Sequence, residues 1–390
     1  MGVFRLFLAL SVLLGHTRGH GFLGLSFVFP EIAVQSFFMI SGFYMALVLN
    51  EKYNQPGQYT TFLQQRFLRL YPTYFILIVS VLAIDFAMTG ITGHAWGSIA
   101  AWYNNYHVLP PLALAYLAFE NIIIFGQEVV MLLGLDPSSG AIQLFWLNDT
   151  VKPVSLSNFL LIGSSWSLAV EFLFYVLAPF LVRRTVRAQI IIVAACFLVR
   201  AATFLLVPGD GYHWIYFLFP PNLFFFMAGS VSYVLYKNYE PQLKSIAVGK
   251  PWVIVLFAAL ALDYCRFPYT RQLYLIWIPA VFFMVPLLFA LTCRNRVDRL
   301  IGELSYPCYL IHPHVLLFTL PLFGSGHNNQ WLLGPVSFAI TLILSYLFYR
   351  FIETKTERFR ENLYRKSHRK PIDETPSVQQ PLQSSAPTLN

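Results

Sequence analysis

Four stretches of this chain carry residue types that could do chemistry. The first is VFRLFLALSVLLGH, in which Arg5 and His16 stand eleven residues apart in an otherwise apolar run. A helix turns about 100° and rises about 1.5 Å per residue, so the two share nearly one stripe, about 16 Å apart along the axis. Both are costly in hydrocarbon and must face a bundle interior, a water-filled cavity or a membrane interface. Arginine offers a fixed charge and several donors suited to phosphate or carboxylate, and histidine can take and return a proton near neutral pH. The plain alternative is a positive anchor at one end of the helix and an interfacial histidine at the other.

The second stretch is QRFLRLYP, where Arg66 and Arg69 are three apart and so neighbours on a helix face. Such a claw suits a polyphosphate or nucleotide, gripped by paired hydrogen bonds; simple anchoring at the membrane surface is the competing reading. The third is WSLAVEFLFYVLAPFLV, where Ser167 and Glu171 share a face one turn after Trp166. A carboxylate at that depth needs a partner or a proton, and Arg5 is one candidate for an ion pair with it. The fourth is SYPCYLIHPHV, where Pro307 and Pro313 are expected to break the helical hydrogen-bond ladder beside His312 and His314. The small residues of SFFMISGF (Ser36 to Phe43) allow close helix approach and are read as packing beside a cavity.

The elements that hold these residues are membrane helices. Of 390 residues 57% are hydrophobic and only 11% charged, against about 25% charged in soluble domains. Apolar runs of spanning length fall at 2–17, 31–50, 67–89, 158–182, 188–207, 214–236, 251–266, 272–292, 301–323 and 331–352. The reading is an all-α integral membrane bundle of about ten spans, covering 1–360, with both termini cytoplasmic. The net charge of +8 does not point to nucleic acid: Lys52, Arg183, Arg184, Arg187, Lys237, Lys244, Lys250, Arg294, Arg296 and Arg299 gather in loops that ten spans place in the cytoplasm. Arg266 and Arg271 fall in an outside loop against that rule. Counting 111–134 as a crossing would reverse every later loop, and that stretch carries Glu120, Asn121, Gln127 and Glu128. It is read as a re-entrant or interfacial helix within an external region from about 90 to 157.

The first segment lacks a small-residue cleavage site and reads as a retained helix. Pro56-Gly57 and Pro208-Gly209 read as turns. Cys196, Cys265, Cys293 and Cys308 show no metal-like spacing and read as packing residues. Residues 361–390 read as a cytoplasmic tail, mostly disordered, rich in Pro, Ser and Gln towards its end. No phosphate loop of the G-x-x-x-x-G-K-[ST] kind, no nucleophile elbow and no internal repeat is found.

Taken in order, Arg5 and His16, FFMISGF, RFLRLYPTY, WSLAVEFLFY and SYPCYLIHPHV resemble the membrane-bound acyltransferase 3 family over about residues 2–360. The resemblance implies a similar ten-span bundle that moves an acyl group, often acetyl, from cytoplasmic acyl-CoA to a hydroxyl of a sugar, polysaccharide or glycolipid. It implies that His16 handles the proton with Arg5 as its partner and Glu171 as a further catalytic residue. It also implies that Arg66 and Arg69 bind the acyl-CoA, and that Trp166, Ser167 and His312 contact substrate. Leu6 stands where the family often has glycine, and Phe172 where it often has a second acidic residue. No esterase-like domain follows, so the chain would act alone or with separate envelope-polysaccharide assembly proteins, in the bacterial inner membrane. A thioester is reactive enough to need no metal. The rival readings are a proton-coupled transporter or flippase, against which the missing inverted repeat counts, and a non-catalytic scaffold whose polar residues only fix helix register.

Overall fold

The computed structural model describes residues 1–17, 21–23, 25, 27–144, 154–207, 211–249, 252–266, 271–324 and 329–367. The Pro208-Gly209 turn, the loop between Arg266 and Arg271 and the tail from 368 onward lie outside the described residues. In chain order the helices are α1 (Gly2–Gly15), α2 (Pro30–Glu51), α3 (Tyr59–Thr92), α4 (Ala100–Asn105), α5 (Pro111–Ile123), α6 (Gln127–Val130), α7 (Trp166–Leu181) and α8 (Val186–Leu206). Then come α9 (Gly211–Phe217), α10 (Phe219–Gly249), α11 (Trp252–Arg266), α12 (Arg271–Thr292), α13 (Arg296–Glu303), α14 (Ser305–Phe323), α15 (Leu333–Phe348) and α16 (Thr354–Ser367).

A helix stands in each of the ten segments expected to span, but not all have spanning length. Among the described residues six helices are long and apolar enough to cross a membrane: Pro30–Glu51, Tyr59–Thr92, Gly163–Leu181, Val186–Leu206, Tyr274–Thr292 and Gln330–Arg365. The bent pair Gly211–Phe217 and Phe219–Gly249, 53° apart, makes a seventh. Helix α1 is apolar but only 14 residues long, about 21 Å against a hydrocarbon core of about 30 Å. Lipid is the solvent this surface requires. In Val186–Leu206 only 17% of the apolar window is buried, and Ile191, Leu198, Leu205 and Leu206 are exposed. In water such a band would be an aggregation site.

The region from 90 to 157 differs from an all-helical reading. Helix α5 has 13 residues and stops at Ile124, which adopts φ 68°; its length of about 20 Å is that of a helix that enters a bundle and does not cross it. Tyr74 of α3 donates to the carbonyl of Asn121 at 2.7 Å, and Tyr71 to that of Ile123. Beyond it, β1 (Leu133–Leu135) pairs antiparallel with β2 (Ile142–Leu144) and β3 (Val154–Ser155) in a small sheet of order β2-β1-β3. Strands of two or three residues are too short for an apolar–polar alternation to mark them.

Two contacts fix the frame of the site. Helices α2 and α10 cross with almost no space between backbones: a Cβ on Gly42 would lie 1.9 Å from the carbonyl oxygen of Phe226, and one on Gly229 would lie 1.9 Å from that of Met39. Trp277 of α12, fully buried, donates to Ser36 of α2 at 3.0 Å. The SFFMISGF segment therefore sets helix spacing through Gly42 and anchors α12 through Ser36. Helix α1 packs against α2, α13, α14 and α15, and its free N–H groups are capped from another element. Asp298 of α13 accepts from Gly2 N at 2.8 Å and from Val3 N at 3.0 Å. Burial would raise the Asp298 carboxyl, but these amides outweigh it and hold it below the ordinary 3.8.

Gly42→Ala should lower the thermal midpoint of the detergent-solubilised protein, with a cost of about 1–3 kcal/mol or more from overpacking. Gly90→Ala is the comparison, since nothing lies within 4 Å of a Cβ there; it should be neutral or stabilise by about 1 kcal/mol. Equal midpoints for the two variants would refute the close crossing.

Candidate functional site

The inner faces of α1, α2, α3, α7, α12, α13 and α14 enclose a cavity of about 440 Å³. One end is strongly basic. Arg5, Arg66, Arg69 and Arg299 line it, accompanied by Glu303 and Asp298. The spacing of three that made Arg66 and Arg69 a claw is realised: both sit on the first turns of α3 and both face the cavity. Arg69 reaches Glu303 at 3.5 Å. Arg66 is 7% exposed, with its guanidinium over the rings of Phe62 (5.7 Å) and Tyr175 (6.0 Å) and a buried Nε that has no hydrogen-bond partner. No ion pair or side-chain hydrogen bond of the Arg5 guanidinium is found among the described residues. Four arginines lining one cavity give it a place where an anion could be held by charge-assisted hydrogen bonds.

Midway along the cavity stands Glu171. Its Oε1 accepts from Ser41 Oγ and from Tyr175 Oη, each at 2.6 Å. The ion pair with Arg5 considered from the sequence is not formed: two hydroxyl donors hold the carboxylate, one from its own helix at i+4 and one from α2. At the end away from the arginines the lining includes Phe37, Ser167 and Tyr309. Ser167 Oγ and Tyr309 Oη are hydrogen-bonded at 2.7 Å, and Ser167 also donates to the carbonyl of Ser164 at 3.0 Å.

His16 and His312 lie beyond that end and do not line the cavity. Their rings are 5.4 Å apart; His312 is buried at 2% exposure, while His16 is exposed. Both rings are held the same way. Pro313 has no N–H to give the carbonyl four residues back, that of Tyr309, and His312 Nδ1 takes this freed oxygen at 2.7 Å. At the end of α1 the last amides turn to Leu13 and Leu14, and His16 Nδ1 takes the carbonyl of Val12 at 2.7 Å. A carbonyl only accepts, so each Nδ1 carries a proton, and in the neutral ring it is Nε2 that offers a lone pair. Of the two prolines expected to break the hydrogen-bond ladder, Pro313 does so by freeing the Tyr309 carbonyl within a helix that runs on through it. Pro307 sits in the first turn of α14, where no helical N–H is needed. His314 turns away, its Nε2 donating to the carbonyl of Leu161 at 2.9 Å.

Of the residues singled out in the sequence, the cavity gathers Arg5, Arg66, Arg69, Ser167 and Glu171. The pair His16 and His312 forms a second group, and Arg5 stands at the opposite end of its helix from His16. Trp166 belongs to neither: it packs against Tyr216 (4.9 Å) and Phe217 (4.7 Å). Residues that were passed over are Ser41, Tyr175, Glu303 and Tyr309. Ser41 and Tyr309 lie inside stretches that were read; Tyr175, one turn beyond Glu171, has the spacing that would have found it.

A family model described as an acyltransferase domain matches residues 1–350. The Peptidoglycan O-acetyltransferase OatA of Listeria monocytogenes is 24% identical over 352 residues, which is 83% of this chain and 50% of that protein. The chain thus spans about half the length of the curated relative it matches. No solved structure matches.

Coenzyme A, the anion that the sequence reading expects at the basic mouth, should bind about tenfold or more weakly to Arg66→Ala and to Arg69→Ala, the loss of one charge-assisted contact each. Arg184→Ala removes an exposed arginine bonded to its own helix at Phe180 and should leave binding unchanged. Isothermal titration in detergent decides between them.

Proposed function

The chain belongs to the acyltransferase-domain family that matches residues 1–350, as a multi-pass membrane protein, and on that premise we propose that it is a membrane O-acyltransferase. The donor is a cytoplasmic acyl-CoA, with acetyl as the acyl group, and the acceptor is a hydroxyl of a sugar, polysaccharide or glycolipid. The observation that carries the reading is one cavity with a basic mouth at Arg5, Arg66 and Arg69 and an inner end one side chain away from a histidine pair.

In this reading the basic end faces the cytoplasm of a plasma-membrane protein, and the CoA phosphates meet Arg66 and Arg69, whose buried Nε at Arg66 lacks a partner. The pantetheine arm runs along the cavity past Glu171 towards Ser167 and Tyr309. The acceptor approaches from the side on which His16 is exposed. His16 Nε2 takes the acceptor hydroxyl's proton, worth about 10²–10⁴-fold, as the oxygen attacks the thioester carbonyl. The tetrahedral intermediate collapses, the C–S bond breaks, and the imidazolium returns the proton to the departing thiolate. The Nδ1–H bond to Val12 holds the ring in the tautomer this needs. Placing donor and acceptor in one enclosure supplies several kcal/mol more, on the order of the gain from pre-paid orientation. OatA is named for acetylating peptidoglycan, so we take a glycan hydroxyl of the cell envelope as the acceptor class.

The test is transfer of label from radioactive acetyl-CoA in membranes that hold native envelope glycans. Wild type should label a glycan or lipid fraction, and His16→Ala should abolish that label at equal abundance. Arg66→Ala/Arg69→Ala should raise the donor KM. Unimpaired transfer by His16→Ala would sink the base assignment, and no label from any acyl-CoA would sink the reading.

A further inference from the structure

The proposed reaction requires a donor thioester and His16 to meet, yet the cavity and the histidine pair lie on opposite sides of one side chain. We infer that Tyr309 is a positioning residue that seals the donor cavity from the His16–His312 pair until an acyl group displaces its ring, an inference that rests on the acyltransferase reading.

Tyr309 touches both compartments. Its ring and hydroxyl line the cavity, where the hydroxyl is tied to Ser167 Oγ at 2.7 Å and lies 3.3 Å from the carbonyl of Ser164. On the other side its ring lies 5.8 Å from that of His312, which in turn meets His16 at 5.4 Å. Phe37 packs edge-on against it at 6.2 Å and completes the seal. Its main chain is pinned independently: the carbonyl that Pro313 leaves free accepts from His312 Nδ1 at 2.7 Å and from Ser164 Oγ at 3.3 Å. The backbone of Tyr309 therefore fixes His312, while its side chain is tethered only at the hydroxyl, to Ser167 Oγ and more loosely to the Ser164 carbonyl. Rotation about its side-chain bonds releases that hydroxyl tether and opens a path between the compartments without moving α14.

The seal has a chemical purpose. A thioester that met His16 beside open water would be hydrolysed: Nε2 would take a proton from water, the hydroxide oxygen would attack the carbonyl, the C–S bond would break, and carboxylic acid and thiol would leave. A closed inner end confines the thioester to a site that excludes this competing reaction. Entry of the acyl group then couples opening to the presence of donor.

Thiol release from acetyl-CoA is measured without acceptor on purified protein in detergent, alongside coenzyme A binding and transfer to soluble peptidoglycan fragments. Tyr309→Ala should raise hydrolysis about tenfold over wild type and lower the ratio of transfer to hydrolysis, because water is no longer excluded. Both Tyr309→Phe and Ser167→Ala keep the ring; Tyr309→Phe loses both hydroxyl contacts and Ser167→Ala the shorter one, and each should raise hydrolysis about two- to fivefold, the effect of losing neutral hydrogen bonding. Wild-type hydrolysis in Tyr309→Phe and Ser167→Ala, with coenzyme A binding intact, would overturn the proposal even if Tyr309→Ala fails to fold. A wild type that neither binds nor uses acetyl-CoA would instead overturn the acyltransferase reading, and this inference with it.

Discussion

A charged or hydrogen-bonding group carried into an apolar bundle must find a partner in protein or water, and the site is arranged by how those partners are supplied. Where the chain supplies them in full, the group is fixed: Glu171 between Ser41 and Tyr175, Asp298 under the first amides of α1. Where it supplies one, the group is braced but available, as Arg69 is by Glu303 at 3.5 Å. Where it withholds one among the described residues, as at the buried Arg66 Nε, the side chain concerned is one that lines the cavity.

The two helices that carry the histidine pair are both atypical as membrane spans. Helix α1 is 14 residues long, and α14 contains two prolines after its first turn and two histidines. Shortness brings the last turn of α1, with His16, to a place where ring and water can meet. Proline opens a carbonyl on α14 at the depth where His312 needs an acceptor. In both cases a defect in the helical ladder has become the anchor of an imidazole. The long helices α2 and α10 make these defects tolerable, because their contact at Gly42 and Gly229 holds the bundle whether or not α14 is regular.

Much of this was legible in the sequence where a relation lies within one helix. Arg5 and His16 on one stripe, Arg66 with Arg69, and Ser167 with Glu171 follow from 3.6 residues per turn, and the helices stand where hydropathy places them. What was not legible is pairing between helices. Glu303 with Arg69 spans 234 residues of chain and Ser41 with Glu171 spans 130; no local rule selects Ser41 over Arg5 as the partner of Glu171. The partition of Arg5, His16 and His312 into two compartments was hidden for the same reason, since it depends on where the ring of Tyr309 lies. The short sheet after α5 was missed because strands of two or three residues leave no periodic trace.

The neutral tautomers of the two histidines bear on what the site is built to do. A proton-coupled carrier needs a group that holds a proton while the path opens to one side and then the other. Here each Nδ1 is committed to a main-chain carbonyl and each neutral ring offers a lone pair at Nε2, with the rings only 5.4 Å apart. A proton accepted by one imidazole meets its neighbour's ring at once, and holding both protonated would set two positive charges side by side. The pair is therefore suited to take one proton briefly and give it back, as the proposed transfer from a thioester would require, with the leaving thiolate ready to receive it.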